Sequence, residues 1–96
     1  MQIEQIEDVL RVELDSHIDT GNTSEVEDAV LSALRASTAR KLEFDASNLE
    51  YISSSGLRMV IKVSRHVDHL TVSNVKPVVY DVFEMTGLAD IFTIEK

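Results

Sequence analysis

Lys41-Leu42-Glu43-Phe44-Asp45-Ala46-Ser47-Asn48-Leu49-Glu50-Tyr51-Ile52-Ser53-Ser54-Ser55-Gly56-Leu57-Arg58-Met59-Val60-Ile61-Lys62-Val63-Ser64 changes its hydrophobic period partway along. From Lys41 to Asp45 polar and apolar residues alternate, as in a strand with one covered face. Asn48 to Ile52 leads into three serines and Gly56. Beyond them Leu57, Val60, Ile61 and Ser64 recur at helical spacing, and Met59 and Val63 widen the apolar side. A strand, a turn and a helix in that order form most of a crossover unit.

Working outward, the same reading covers the chain. The helix is expected to reach about His66, and Leu70-Thr71-Val72-Ser73 follows as a short strand. Pro77 suits the first position of a third helix, where its missing N–H is not needed. Val78, Val79, Val82 and Phe83 are expected to face the core from that helix, and Gly87 to stop it. Ile91 to Ile94 reads as a last strand. On the amino-terminal side, Val9 to Leu14 reads as a strand with a possible partner near Gln2 to Ile6. Asp15 to Thr23 is a polar loop. Ser24-Glu25-Val26-Glu27 has the form of a capping box. Behind it Val26, Ala29, Val30, Ala33 and Leu34 mark one face of a helix ending near Ser37. The predicted order is β, β, α, β, α, β, α, β. The fold class is α/β: one domain over residues 1–96, with a mixed, largely parallel sheet of four to five strands. Three to four α-helices pack against it.

Composition narrows the function. The chain has 96 residues, 44% apolar and 27% charged, an ordinary globular balance. It contains no cysteine, which excludes disulfides, thiolate metal sites and a cysteine nucleophile. The acidic start Met1-Gln2-Ile3-Glu4-Gln5-Ile6-Glu7-Asp8 is unlike a signal peptide, and no stretch is long and apolar enough to span a membrane. A cytoplasmic protein is expected. The net charge of −8 makes nucleic acid and anionic membranes poor partners. It serves solubility, or it complements a partner with a basic face.

The triple serine is the most suggestive chemistry. A serine at a helix start can cap the helix by accepting a bond from a free backbone N–H. It can also carry a phosphate, because the positive end of the helix dipole tolerates added negative charge. Catalysis by Ser54 is disfavoured: the Gly-x-Ser-x-Gly elbow is missing. His66 would lie about 18 Å down the same helix at 1.5 Å per residue. That leaves His17, a lone loop histidine, as the only possible base. His66 and His69 have a metal-compatible spacing with Asp68 between them but lack further ligands nearby. Asp15, Asp19 and Asp45 either converge at one end of the sheet or serve as caps and loop residues. Met59 and Met85 read as core or rim packing. No glycine-rich phosphate loop is present. No enzyme activity, cofactor or metal is expected.

At Asp45-Ala46-Ser47-Asn48-Leu49-Glu50-Tyr51-Ile52-Ser53-Ser54-Ser55-Gly56-Leu57-Arg58 the chain resembles the STAS domain family of anti-sigma factor antagonists. Ile18-Asp19-Thr20 is similar to that family's Leu-Asp-Thr loop. Phe83 to Leu88 with Ile91-Phe92 is similar to its last helix and strand. The resemblance implies binding to an anti-sigma factor that is also a serine kinase, which frees a sigma factor for transcription. It also implies that phosphorylation at Ser54 ends the binding and that a serine phosphatase restores it. Ser53 stands where the family often has Asp, so Ser53 and Ser55 are alternative acceptors. The partner surface implied by the resemblance comprises Asp19, Thr20, Ser53, Ser55, Gly56, Leu57, Arg58 and Met59. The segment from Leu57 to Leu70 is about one helical turn shorter than the family's usual length. A rival reading makes the chain a scaffold subunit of a stress-sensing complex or of the cytosolic side of a lipid transporter. Ser54 would then be a cap only.

Overall fold

A tight hairpin opens the chain in the computed structural model, which describes residues 1–96. Strand β1 (Gln2–Ile6) pairs antiparallel with β2 (Val9–Glu13), Ile6 opposite Val9, and Glu7 turns the corner at φ 55°. Every later pairing in the main sheet is parallel. Strand β2 pairs with β4 (Lys41–Asp45), β4 with β6 (His69–Ser73), and β6 with β7 (Thr93–Ile94). The order β1-β2-β4-β6-β7 is the predicted mixed sheet, with five strands.

Three α-helices connect these strands: α1 (Thr23–Ala36), α2 (Ser54–Ser64) and α3 (Pro77–Met85). A short 3-10 turn follows at Leu88–Asp90. Leu10, Val12, Leu42, Phe44, Leu70 and Val72 alternate along the central strands and are all buried. Val30 of α1, Met59, Val60 and Val63 of α2, and Val79 and Phe83 of α3 are buried in the same core. Residues on the opposite side of the strands, such as Arg11, Glu13, Glu43 and Thr71, stay partly exposed. Apolar burial of this kind contributes roughly 1.5–3 kcal/mol for each large side chain, so the alternation orients the sheet.

Four local expectations are corrected. Ser24 does not cap α1: the helix begins at Thr23, and Asn22 is the flanking residue, without a side-chain cap bond. The reason is the preceding turn, where the N–H groups of Asn22 and Thr23 both donate to the Asp19 carbonyl and wind the helix one step earlier. Asn22 Oδ1 is itself occupied by the Asp19 N–H at 2.8 Å. Val78 is 61% exposed rather than core-facing, because Val79 and Phe83 already fill the sheet side of α3. Met85 is 86% exposed and packs neither in the core nor at its rim. The last strand is shorter than expected, since the 3-10 turn takes its start. Pro77 and Gly87 behave as their chemistry demands. Pro77 opens α3, and Gly87 adopts φ 79° just past its end.

Asp45 is the polar residue most firmly held in the sheet. Its Oδ2 accepts from Arg11 Nη2 at 2.6 Å, and its Oδ1 accepts from Asn74 Nδ2 at 3.0 Å and the Ser47 N–H at 3.1 Å. Asn74 sits at φ 56°, a left-handed conformation that Asn adopts more readily than most residues. Burial alone would raise the Asp45 carboxyl. The hydrogen bonds from Asn74 and Ser47 and the charge of Arg11 outweigh it and hold the group below the usual carboxylate range. Asp45, Asp15 and Asp19 do not converge. Asp15 pairs with the terminal ammonium at 3.1 Å, and Asp19 organises its own turn.

Candidate functional site

Two elements too short to show a period bring the site together. Strand β3 (His17–Ile18) pairs parallel with β5 (Tyr51–Ile52), with Ile18 opposite Ile52. The Ser53 N–H donates to the Ile18 carbonyl at 2.9 Å, and the Glu50 N–H to the Ser16 carbonyl at 2.7 Å. Both isoleucines are buried. This small second sheet carries the Asp19-Thr20 loop to the side of the serine turn.

Gly56 allows the contact to be close. A Cβ there would lie 2.7 Å from Ile52 Cγ1, 2.9 Å from Ile18 Cγ2 and 3.2 Å from the Ile18 carbonyl oxygen. No side chain fits without displacing one of them. The first turn of α2 therefore rests directly on the β3–β5 pair.

The three serines then divide their work. Ser53 caps α2, its Oγ accepting from the Gly56 N–H at 3.1 Å. Ser53 Oγ and Ser55 Oγ are 2.8 Å apart, and Ser55 Oγ lies 3.2 Å from Thr20 Oγ1. The hydroxyls thus run in a chain from the loop to the helix cap. Ser54 stands outside this chain. It is the first residue of α2, is exposed, and makes no side-chain hydrogen bond.

Around the serines, Asp19 is partly exposed, and Thr20 and Arg58 are exposed. Asp19 Oδ1 accepts from the Gly21 N–H at 2.8 Å, which tightens the loop. Arg58 is in none of the ion pairs, whereas Lys62 one turn further reaches Glu27 of α1 at 3.5 Å. Met59 is 2% exposed, and Gly56 and Leu57 are buried as well. These three shape the surface from beneath and offer it little side-chain area. None of the histidines meets a serine of the turn. His17 Nδ1 lies 3.3 Å from Ser16 Oγ and Nε2 lies 3.6 Å from Asp19, and His69 Nε2 meets Thr93 Oγ1 at 3.0 Å.

The structure adds residues that periodicity did not single out. Tyr51 is 56% exposed two positions before the cap serine, unlike its neighbour Ile52. Thr23, Ser24 and Glu27 of α1 line a shallow polar depression with Ser55, Arg58 and Lys62 of α2. The available signal for Tyr51 was a large aromatic ring beside a hydrophilic turn. Nothing in the sequence indicated which face of α1 would meet α2.

Hydroxyls join the Asp19-Thr20 loop to the start of α2 on the surface of a small α/β domain, beside a shallow polar depression. The STAS domain model matches residues 1–96, and the chain belongs to the STAS domain family. It is 31% identical to BtrV of Bordetella bronchiseptica, a protein assigned to the anti-sigma factor antagonists, over 98% of this chain and 84% of that one. Among solved structures, the anti-sigma factor antagonist SpoIIAA in its unphosphorylated form superposes with a TM-score of 0.83 at 18% identity. That match covers 99% of this chain and 87% of the other. The Bacillus cell fate determinant SpoIIAA in its phosphorylated form gives 0.72 at 17% identity, covering 99% and 90%. At such identities the likeness is one of fold. No helix is long and apolar enough to cross a membrane.

Proposed function

We propose that the chain is a non-catalytic anti-sigma factor antagonist, whose partner is an anti-sigma factor that also acts as a serine kinase and phosphorylates Ser54. The observation that carries the reading is the division among the serines: Ser53 and Ser55 are tied into the cap and the hydroxyl chain, and Ser54 alone is exposed and unengaged. Of the three candidate acceptors, Ser54 needs no bond broken to reach a kinase. A phosphate there adds about −1.5 to −2 charges at the positive end of α2, where the dipole favours it by roughly 0.3–1 kcal/mol. The domain keeps its fold while the surface gains negative charge. Asp19, Thr20, Ser54, Arg58 and Tyr51 form the exposed contact, over a floor of Gly56, Leu57 and Met59. The family membership and the BtrV relationship support this role.

The test uses wild type, Ser54→Ala and Ser54→Glu as baits in the native host, with mass spectrometry of the bound proteins and of the bait's phosphopeptides. A kinase-like protein held by wild type and Ser54→Ala, released by Ser54→Glu, and phosphorylating wild type at residue 54 is the expected result. If all three baits hold one complex and no phosphopeptide covers residues 53–55, the serine is a helix residue only and the chain is a scaffold subunit.

A further inference from the structure

Helix α3 is apolar on two sides, and one of them is left largely exposed by the domain. Val79 and Phe83 are each 1% exposed and complete the core. At 3.6 residues per turn, Val78, Val82 and Met85 fall within about 60° of arc on a different side. Val78 and Met85 are 61% and 86% exposed, and Val82 is half-buried between them. A surface helix needs one apolar stripe to hold it to its domain. Val82 packs in part against the core, but Val78 and Met85 on either side of it do not, and apolar side chains left exposed together on one helix face mark an interaction surface.

Charge indicates the occupant. Asp81 and Glu84, both exposed, run along one border of the stripe, and α3 contains no Lys, Arg or His. The nearest basic side chain at its start, Lys76, is already paired with Glu50 at 3.7 Å. Lys96 lies 4.3 Å over the Tyr80 ring, on the far side of the acidic border. Two copies of this chain joined through α3 would place Asp81 and Glu84 of both in one interface, where like charges oppose association. The whole chain carries −8, which favours a basic partner over long range.

We infer that the Val78–Val82–Met85 stripe of α3 is a second docking surface, separate from the serine turn, for a protein helix with apolar side chains edged by Lys or Arg. It goes beyond the phosphorylation-controlled contact and does not depend on it.

The probe is a synthetic amphipathic helical peptide with a leucine face and lysine edges, compared with the same peptide carrying glutamate edges. Each is titrated into the isotope-labelled full chain while amide shifts are followed. The lysine-edged peptide is expected to shift residues 78–85, and the glutamate-edged one to leave them unchanged. Val78→Ser with Met85→Ser should weaken binding about tenfold, the loss of one or two apolar anchors. These positions are exposed, so the double variant retains its fold, as an unchanged melting curve checks. Ser54→Glu should bind the peptide as wild type does, which separates this surface from the switch. Shifts centred elsewhere, equal binding of the two peptides, or loss of binding in Ser54→Glu overturns the assignment. So does sedimentation showing a dimer of the chain that the double variant abolishes, since the occupant is then a second copy.

Discussion

Replacing Gly56 with alanine tests the contact on which the whole site depends. In an unconstrained helix the change would help, because alanine is favoured over glycine by about 0.5–1 kcal/mol. Here the added methyl would sit 2.7 Å from Ile52 Cγ1 and 2.9 Å from Ile18 Cγ2. Both isoleucines are buried, and the Ile18 carbonyl oxygen at 3.2 Å is backbone, so no flexible end can swing aside. Overpacking of this kind costs about 1–3 kcal/mol. The net expectation is a loss centred on about 1 kcal/mol and reaching about 2.5 kcal/mol, with Tm falling by roughly 4–8 °C for each kcal/mol in a domain of this size. The displaced helix start should also separate Thr20 from Ser55, and partner affinity should fall with stability. Gly21→Ala is the control. Its new Cβ would meet only Asp19 Oδ1, at 3.2 Å, a side-chain atom that has to give by no more than a few tenths of an ångström, so a smaller change is expected. Thermal and urea unfolding of the three proteins measures the difference. A Gly56→Ala protein as stable as wild type, or more so, would refute the close seating of α2 on the β3–β5 pair.

Two further outcomes follow from the site and the sheet. Ser53→Ala should lose about 1 kcal/mol through the missing cap, whereas Ser54→Ala, with no bond to lose, should match wild type in urea unfolding. Equal loss in both would mean that the division of the serines is misread. Asp45 has a lowered carboxyl value in the folded state, so its stabilising effect is complete above the unfolded carboxylate value of about 3.9 and fades as pH falls through the folded one. Asp45→Asn should therefore be destabilised at neutral pH by about 1–3 kcal/mol, with the gap to wild type closing below about pH 4. A gap that stays constant down to pH 2 would show that the carboxylate's charge is irrelevant there.

The elements that carry their own period are legible from residues alone. Strands β2, β4 and β6 and helix α2 announce themselves by alternation or by 3.6-residue spacing, since burial of one face is recorded at every second or every third to fourth residue. Pro77 and Gly87 are legible for a similar reason, because their backbone restrictions are local. The serine turn was also readable, with its cap and its candidate acceptor, but the roles of the three hydroxyls were not. Those roles depend on Thr20, 35 residues away from Ser55 in the chain.

Sequence by itself determined the α/β class, the mixed sheet and the position of the turn at the head of α2, because each rests on local pattern and near-neighbour chemistry. Tertiary structure alone decided the rest. Strands β3 and β5 have two residues each, too few for any alternation, and only their pairing brings the Asp19-Thr20 loop to the serines. Arg58 and Met59 are adjacent in the chain, but the first turns to solvent and the second into the core, because only one side of α2 faces the sheet. Val78 and Val79 divide the same way on α3. Hydrophobicity states that a side chain can be buried; which of two neighbouring valines finds a partner depends on where the rest of the chain has left a space.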